Sequence, residues 1–168
     1  YQHIPGQAGS LTNNVIVALC AARDGKIWIG TYLGGLDCFD GQRFIHYKHD
    51  SQDSNSLANN NVWSIVEDKD GYIWIGTLGG GLQRLNPKTG QFVTFNNRKR
   101  ELLTSEYISS LCMGRDDILY IGTAIGITTY NLRTGVFERF HTNKRGNQNF
   151  SNQNVNQLYE DSRGLLWV

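Results

Sequence analysis

Proline is scarce in this chain of 168 residues, with only two, so rigid proline-rich linkers are not part of its design. Cysteine is sparse and odd in number. Cys20, Cys38 and Cys112 show no metal or redox spacing, which excludes a disulfide framework. Cys20 and Cys112 lie two repeat periods apart, in non-adjacent repeats, so all three read as small apolar fillers. Charge of either sign is nearly balanced, at a formal +1. No nucleic-acid partner is expected, because a phosphate backbone calls for a clustered basic excess. The run Arg98-Lys99-Arg100 sits in a polar stretch and reads as a solvated loop. No apolar run approaches the ~18 residues of a membrane helix. There is no charged-then-apolar leader at the start, and no segment of useful length shows a helical period.

What the chain has instead is glycine, aromatic residues and repetition. Nineteen glycines point to many tight turns. Trp74-Ile75-Gly76-Thr77 has copies at Trp28-Ile29-Gly30-Thr31 and Tyr120-Ile121-Gly122-Thr123, and a truncated one at Trp167-Val168. The successive spacings are 46, 46 and 47 residues, a period that signals a repeat architecture.

Each copy opens with a polar loop rich in asparagine: Leu11-Thr12-Asn13-Asn14, Leu57-Ala58-Asn59-Asn60, Leu103-Thr104-Ser105-Glu106 and Phe150-Ser151-Asn152-Gln153. An apolar strand is expected next, over 16–21, 62–67, 108–113 and 155–160. Asp24-Gly25 and Asp70-Gly71 then predict hairpins with type I′ turns, which need positive φ at both central residues. Asp116-Asp117 stands there in the third copy. The anchor itself is apolar at consecutive positions, as in a strand buried on both faces. A glycine turn, a third strand, another turn and a fourth strand carrying paired aromatics (Phe44 and Tyr47, Phe92 and Phe95, Phe137 and Phe140) complete the unit.

Four short strands repeated every 40–50 residues or so are the pattern of a propeller blade. The fold class is therefore all-β, a β-propeller arc of four-stranded antiparallel blades forming an incomplete ring of about three and a half blades. Residues 1–10 would end a preceding blade, 11–56, 57–102 and 103–149 would form whole blades, and 150–168 the first half of another. The expectation is a segment of a longer protein whose exposed blade faces self-associate. Gly30, Gly76 and Gly122 would leave room for a neighbour's bulky residue or mark a bulge. Trp28, Trp74 and Tyr120 would pack between blades.

Glu67-Asp68-Lys69-Asp70-Gly71-Tyr72-Ile73-Trp74-Ile75-Gly76-Thr77, with its partial copy Glu160-Asp161-Ser162-Arg163-Gly164-Leu165-Leu166-Trp167, resembles the two-component regulator propeller repeat. The first and third copies lack the acidic pair, having Ala21-Ala22 and Met113-Gly114. The resemblance implies the periplasmic sensor region of a hybrid two-component histidine kinase. Such a region recognises oligosaccharides from polysaccharide breakdown and signals across the membrane to control transcription. The kinase and the membrane segment would lie in parts of the protein outside this sequence.

The residues themselves offer no catalytic set: the carboxylates sit in turns, and no phosphate loop precedes a helix. No cofactor and no metal is expected. His46-x-x-His49 has a spacing seen in metal sites, but nothing completes it, and the repeat accounts for His3 and His49. Asn149-Phe150-Ser151 matches a glycosylation sequon that means little in a bacterial protein. What remains is a binding surface on the loops entering the first strands, if those strands are innermost. Asn13, Asn14, Asn59, Asn60, Asn61, Gln153 and Asn154 are candidates for hydrogen bonds to sugar hydroxyls, and Trp63 and Tyr107 for stacking on a sugar ring. The alternative for the asparagines is that they are turn and capping residues. At the level of function the alternatives are a non-catalytic interaction or dimerisation propeller, and a propeller lyase or glycosidase.

Overall fold

The computed structural model describes residues 1–97, 102–140 and 153–168. The basic run Arg98-Lys99-Arg100, His141 and the sequon Asn149-Phe150-Ser151 lie outside the described residues. Three four-stranded antiparallel sheets follow one another along the chain. The first holds β1 (Ile16–Ala21), β2 (Ile27–Thr31), β3 (Gly35–Phe39) and β4 (Phe44–Tyr47). The second holds β5 (Val62–Glu67), β6 (Ile73–Thr77), β7 (Leu82–Asn86) and β8 (Gln91–Phe95), and the third β9 (Ile108–Met113), β10 (Ile118–Thr123), β11 (Gly126–Asn131) and β12 (Val136–Arg139). A half-blade of β13 (Tyr159–Glu160) and β14 (Leu166–Trp167) closes the series. Among the described residues the helical content is a single 3-10 turn, Arg115–Asp117, and no helix is long and apolar enough to cross a membrane.

In every sheet the spatial order follows the sequence order. β1, β5 and β9 pack side by side and β13 adjoins β9, so the first strand of each blade is innermost. The repeated glycine explains how they approach. A Cβ on Gly30 would lie 2.8 Å from Val62 Cγ1, one on Gly76 2.5 Å from Ile108 Cγ2, and one on Gly122 2.7 Å from Val155 Cγ1. Each glycine is thus a gap in the second strand of one blade, filled by the branched residue on the way into the next blade's first strand. The residue three further on in that strand is covered the same way. Ile65, Leu111 and Leu158 are 5–6% exposed, whereas Leu19, on the outer face of the first blade, is 67% exposed.

Trp28 and Trp74 are fully buried between blades. Each lies against the aromatic that ends its own blade: Trp28 against Tyr47 at 5.7 Å, Trp74 against Phe95 at 5.6 Å, and Tyr120 against Phe140 at 5.8 Å between ring centroids. Truncating a tryptophan so placed costs roughly 3–5 kcal/mol.

Two expectations need correction. The Asp-Gly hairpins are not type I′. Only the glycine has positive φ (87° at Gly25, 83° at Gly71), and Gly25 N–H bonds to Ala22 O while Ala22 N–H bonds to Lys26 O. This is a three-residue loop, a type I turn followed by a glycine in the left-handed region. In the third blade Asp116 and Asp117 adopt φ of 59° and 61° without glycine. The first strand of the fourth unit is also shorter than expected. β14 reaches only Trp167, so it pairs with Tyr159 and Glu160 alone, while Val155 N–H bonds back to Thr123 O.

The cysteines are free, and burial pushes the Cys38 thiol up to about 11. Burial also raises Cys20, Cys112, Tyr47 and Tyr120. The folded state holds these groups neutral. Their contribution to stability is therefore complete below the unfolded thiol range and lost as pH climbs through about 11. The urea midpoint should be flat from pH 7 to about 8.5 and fall steadily above that. A midpoint unchanged at pH 11 would contradict the burial argument.

Candidate functional site

Alternating strand direction places the loops between blades and the glycine turns between second and third strands at one end of every blade. On this loop face the first two glycine turns are tied to the following blade. Gly35 N–H donates to Asn60 O, Leu33 N–H to Asn61 Oδ1 at 3.1 Å, and Gly79 and Gly81 N–H to Glu106 O. The loops are pinned from below by a buried polar residue in the third strand, which sequence reasoning missed. Asp37 Oδ2 accepts from Thr12 N–H and Oγ1–H (2.8 and 2.9 Å), Gln83 Oε1 from Ala58 N–H (2.7 Å), and Thr128 Oγ1 from Thr104 N–H (3.0 Å). Their signal was a polar residue recurring inside an apolar strand, which the focus on glycine and tryptophan passed over.

The predicted asparagines fall on this face, and the side-chain oxygens of Asn13, Asn14, Asn59 and Asn60 are engaged by nearby backbone amides, that of Asn61 by Leu33 of the preceding blade. Asn13 Oδ1 accepts from Val15 N–H and Asn59 Oδ1 from Asn61 N–H, both at 2.8 Å. Asn14 accepts from His3 N–H and Asn60 from His49 N–H. The amide nitrogens of Asn13, Asn14, Asn59, Asn60 and Asn61 have no acceptor among the described residues, so these five can still donate. Gln153 and Asn154 are exposed on the loop before β13, and Asn154 Nδ2 donates to Asn156 Oδ1 at 3.1 Å. Tyr107 is 58% exposed, and its ring lies over Gly79. Asn59 Nδ2 lies beside the same glycine. Trp63 is set apart from this group. It occupies the bulge between Val62 and Ser64 on β5, half-buried, and its indole N–H makes no hydrogen bond with the described residues. A bulge re-aims the side chain that sits on it.

Beside Tyr107 the loop face opens into a cleft of about 430 Å³. The connector 49–58, Gly79 and Gly80, Thr94 and Asn96 at the end of the fourth strand, and Glu106 line it. A second cleft of about 360 Å³ lies under the equivalent connector, 3–12, beside His46 and Lys48. Among the described residues no group of three or more histidines, cysteines or carboxylates could hold a metal ion. His46 Nδ1 is 2.7 Å from Asp37 Oδ1 and His49 Nδ1 2.7 Å from Leu57 O, so both imidazoles are engaged in the loops.

The opposite face carries the acidic pair. Asp68 is 2% exposed. Its Oδ1 accepts from Asp70 and Tyr72 N–H, and its Oδ2 from Trp74 Nε1–H at 2.7 Å. Asp161 repeats the arrangement with Arg163, Leu165 and Trp167. Those donors, the Leu165 amide first, hold its carboxyl down at about 2. Tyr120 has no indole to offer, and Gly114 stands where the aspartate would be: a Cβ there would meet Tyr120 Cε2 at 2.5 Å. The neighbouring glutamates reach between blades. Glu67 accepts from Arg23 N–H and Nε–H, and Glu160 receives Arg115 in the same way. Arg23 of the first blade thus meets Glu67 of the second, and Arg115 of the third meets Glu160 of the fourth, so these glutamates stand in alternate copies, each facing an arginine of the preceding blade.

Geometry and fold define this chain as an arc of β-propeller blades with an asparagine-rich loop face. The family model of the two-component regulator propeller matches residues 10–33, 56–79 and 149–168 of this chain. The chain is similar in structure to the extracellular domain of a hybrid two-component system of B. thetaiotaomicron, with a TM-score of 0.81 at 25% identity over 99% of this chain and 23% of that one. It is also similar to the extracellular domain of a one-component system of the same organism, with a TM-score of 0.73 at 26% identity over 98% of this chain and 21% of that one. Virginiamycin B lyase of Staphylococcus aureus shares the fold, with a TM-score of 0.65 at 16% identity over 98% of this chain and 50% of that one. The chain thus spans under a quarter of the length of these two extracellular domains. No curated protein matches it in sequence.

Two substitutions separate the buried tie from the exposed one. Asp68→Asn leaves the turn acceptor but sets an N–H against the Trp74 indole, and should lower stability by about 1–3 kcal/mol. Arg23→Ala removes a pair whose arginine side chain is 59% exposed, and should cost under about 1 kcal/mol. Urea unfolding of both variants measures the difference; equal losses would contradict this division.

Proposed function

We propose that this chain is part of the ligand-sensing propeller of a hybrid two-component sensor. It would lie in the periplasm, as the extracytoplasmic part of an inner-membrane protein, and detect oligosaccharides released from polysaccharides. The observation that carries this reading is the likeness to extracellular domains of such systems, together with a loop face on which five asparagines have amide donors without an acceptor among the described residues, one of which, Asn59, shares Gly79 with the exposed Tyr107. Donors beside an aromatic ring suit a hydroxylated ring compound. The propeller enzymes among its structural neighbours, at identities near 16%, share only the fold. Signalling would pass through parts of the protein outside this sequence. The intact extracytoplasmic region should give a calorimetric binding isotherm with at least one member of a broad oligosaccharide panel. Silence across the whole panel would reject direct glycan sensing.

A further inference from the structure

The connectors 3–12 and 49–58 have the same backbone. Gln7 N–H bonds to Ile4 O and Ser10 N–H to Gln7 O, just as Asp53 N–H bonds to Asp50 O and Ser56 N–H to Asp53 O. Ser10 Oγ accepts from Ile4 N–H as Ser56 Oγ does from Asp50 N–H, at 2.9 Å in both. Ile4 and Gln7 build this double turn as well as Asp50 and Asp53 do, so the fold does not require the two aspartates. Glu106 likewise stands where the first two blades have Asn14 and Asn60. It does their work with one oxygen, Oε1 accepting from Asn97 N–H at 2.8 Å.

All three carboxylates line the 430 Å³ cleft. Each has one oxygen held by a backbone amide: Asp50 Oδ1 by Gln52, Asp53 Oδ1 by Asn55, and Glu106 Oε1 by Asn97. The second oxygen of each has no partner among the described residues. Ser51, Ser54 and Thr94 add hydroxyls to the lining, and neither lysine nor arginine contributes to it among the described residues. The cleft is of a size that ligand sites have, and the exposed ring of Tyr107 stands over Gly79 at its rim.

We infer that this cleft is a binding site for a neutral, polyhydroxylated ligand of saccharide type. Its hydroxyls would donate to Asp50, Asp53 and Glu106, and its ring would lie on Tyr107. An anionic ligand is disfavoured by three carboxylates with no opposing lysine or arginine among the described lining residues. The equivalent cleft under connector 3–12, which has Ile4 and Gln7 at the aspartate positions and Lys48 in its lining, lacks these acceptors and is not expected to take the same ligand. The inference rests on the sensing function proposed above and adds the site and the charge class.

The test is calorimetry on the chain, in EDTA, with tetrasaccharides of equal length: neutral ones built from glucose, mannose or galactose, and anionic ones built from uronate. The D50N/D53N/E106Q variant keeps every oxygen that accepts a backbone amide, so circular dichroism should show an unchanged fold, and D53N alone serves if the triple variant is unstable. A neutral tetrasaccharide should bind, with affinity falling about tenfold or more in the carboxamide variants and in Tyr107→Ala. Full-affinity binding by these variants would overturn the cleft while leaving glycan sensing intact. Binding by the uronate series alone would overturn the charge class. Heat seen only with added calcium, and lost in the triple variant, would make this a cation site instead. No binding by any sugar would overturn the cleft, while glycan sensing by the intact region is decided by its own isotherm.

Discussion

The structure depends on an atom that is missing. At Gly30, Gly76 and Gly122 the absence of a side chain lets Val62, Ile108 and Val155 enter the second strand of the preceding blade. Any Cβ there would come to 2.8 Å or less from a branched side chain that is itself almost fully buried. Because interiors are packed as tightly as crystals, such a contact has little room to relax. Everything else in a blade is arranged around that seat. The tryptophan two residues earlier fills the space between sheets, the fourth-strand aromatic covers it, and the glycine turn reaches over to bond the next blade's loop. The motif that identifies the repeat is therefore a docking surface, and function is displaced to the loops it holds in place.

That displacement has a cost in legibility. Strand positions were readable because burial on two faces forces consecutive apolar residues, and the first, second and third strands of the three whole blades lie where the pattern put them. Turn type was not readable. Asp-Gly is compatible with more than one hairpin loop, and here the Asp68 carboxylate bonds the amides of Asp70 and Tyr72 and so favours the three-residue form. The alternation of Arg23 and Arg115 with Glu67 and Glu160 was present in the sequence as a two-repeat period. Seeing it needed the knowledge that these positions face each other across blades.

The loop face was legible only in outline. Asparagines recur there because the chain must turn into each first strand, and the structure shows their oxygens doing that work. Their amide nitrogens are left without an acceptor among the described residues. The cleft residues Asp50, Asp53 and Glu106 were invisible to repeat reasoning for the opposite reason: they are where the repeat is broken. Comparing connector 49–58 with connector 3–12 exposes them, since the same backbone forms without the acids. Periodicity reports architecture, and departures from it at fixed backbone are where ligand chemistry can be sought.

The central claim, that blade docking rests on the glycine gap, is tested most directly by a double-mutant cycle at Gly76 and Ile108. Gly76→Ala alone should cost about 1–3 kcal/mol, because its methyl group would overlap Ile108. In an Ile108→Ala background the same change should cost markedly less, giving a coupling of about 1 kcal/mol or more by urea unfolding. Additive losses, with no coupling between the two positions, would contradict the account.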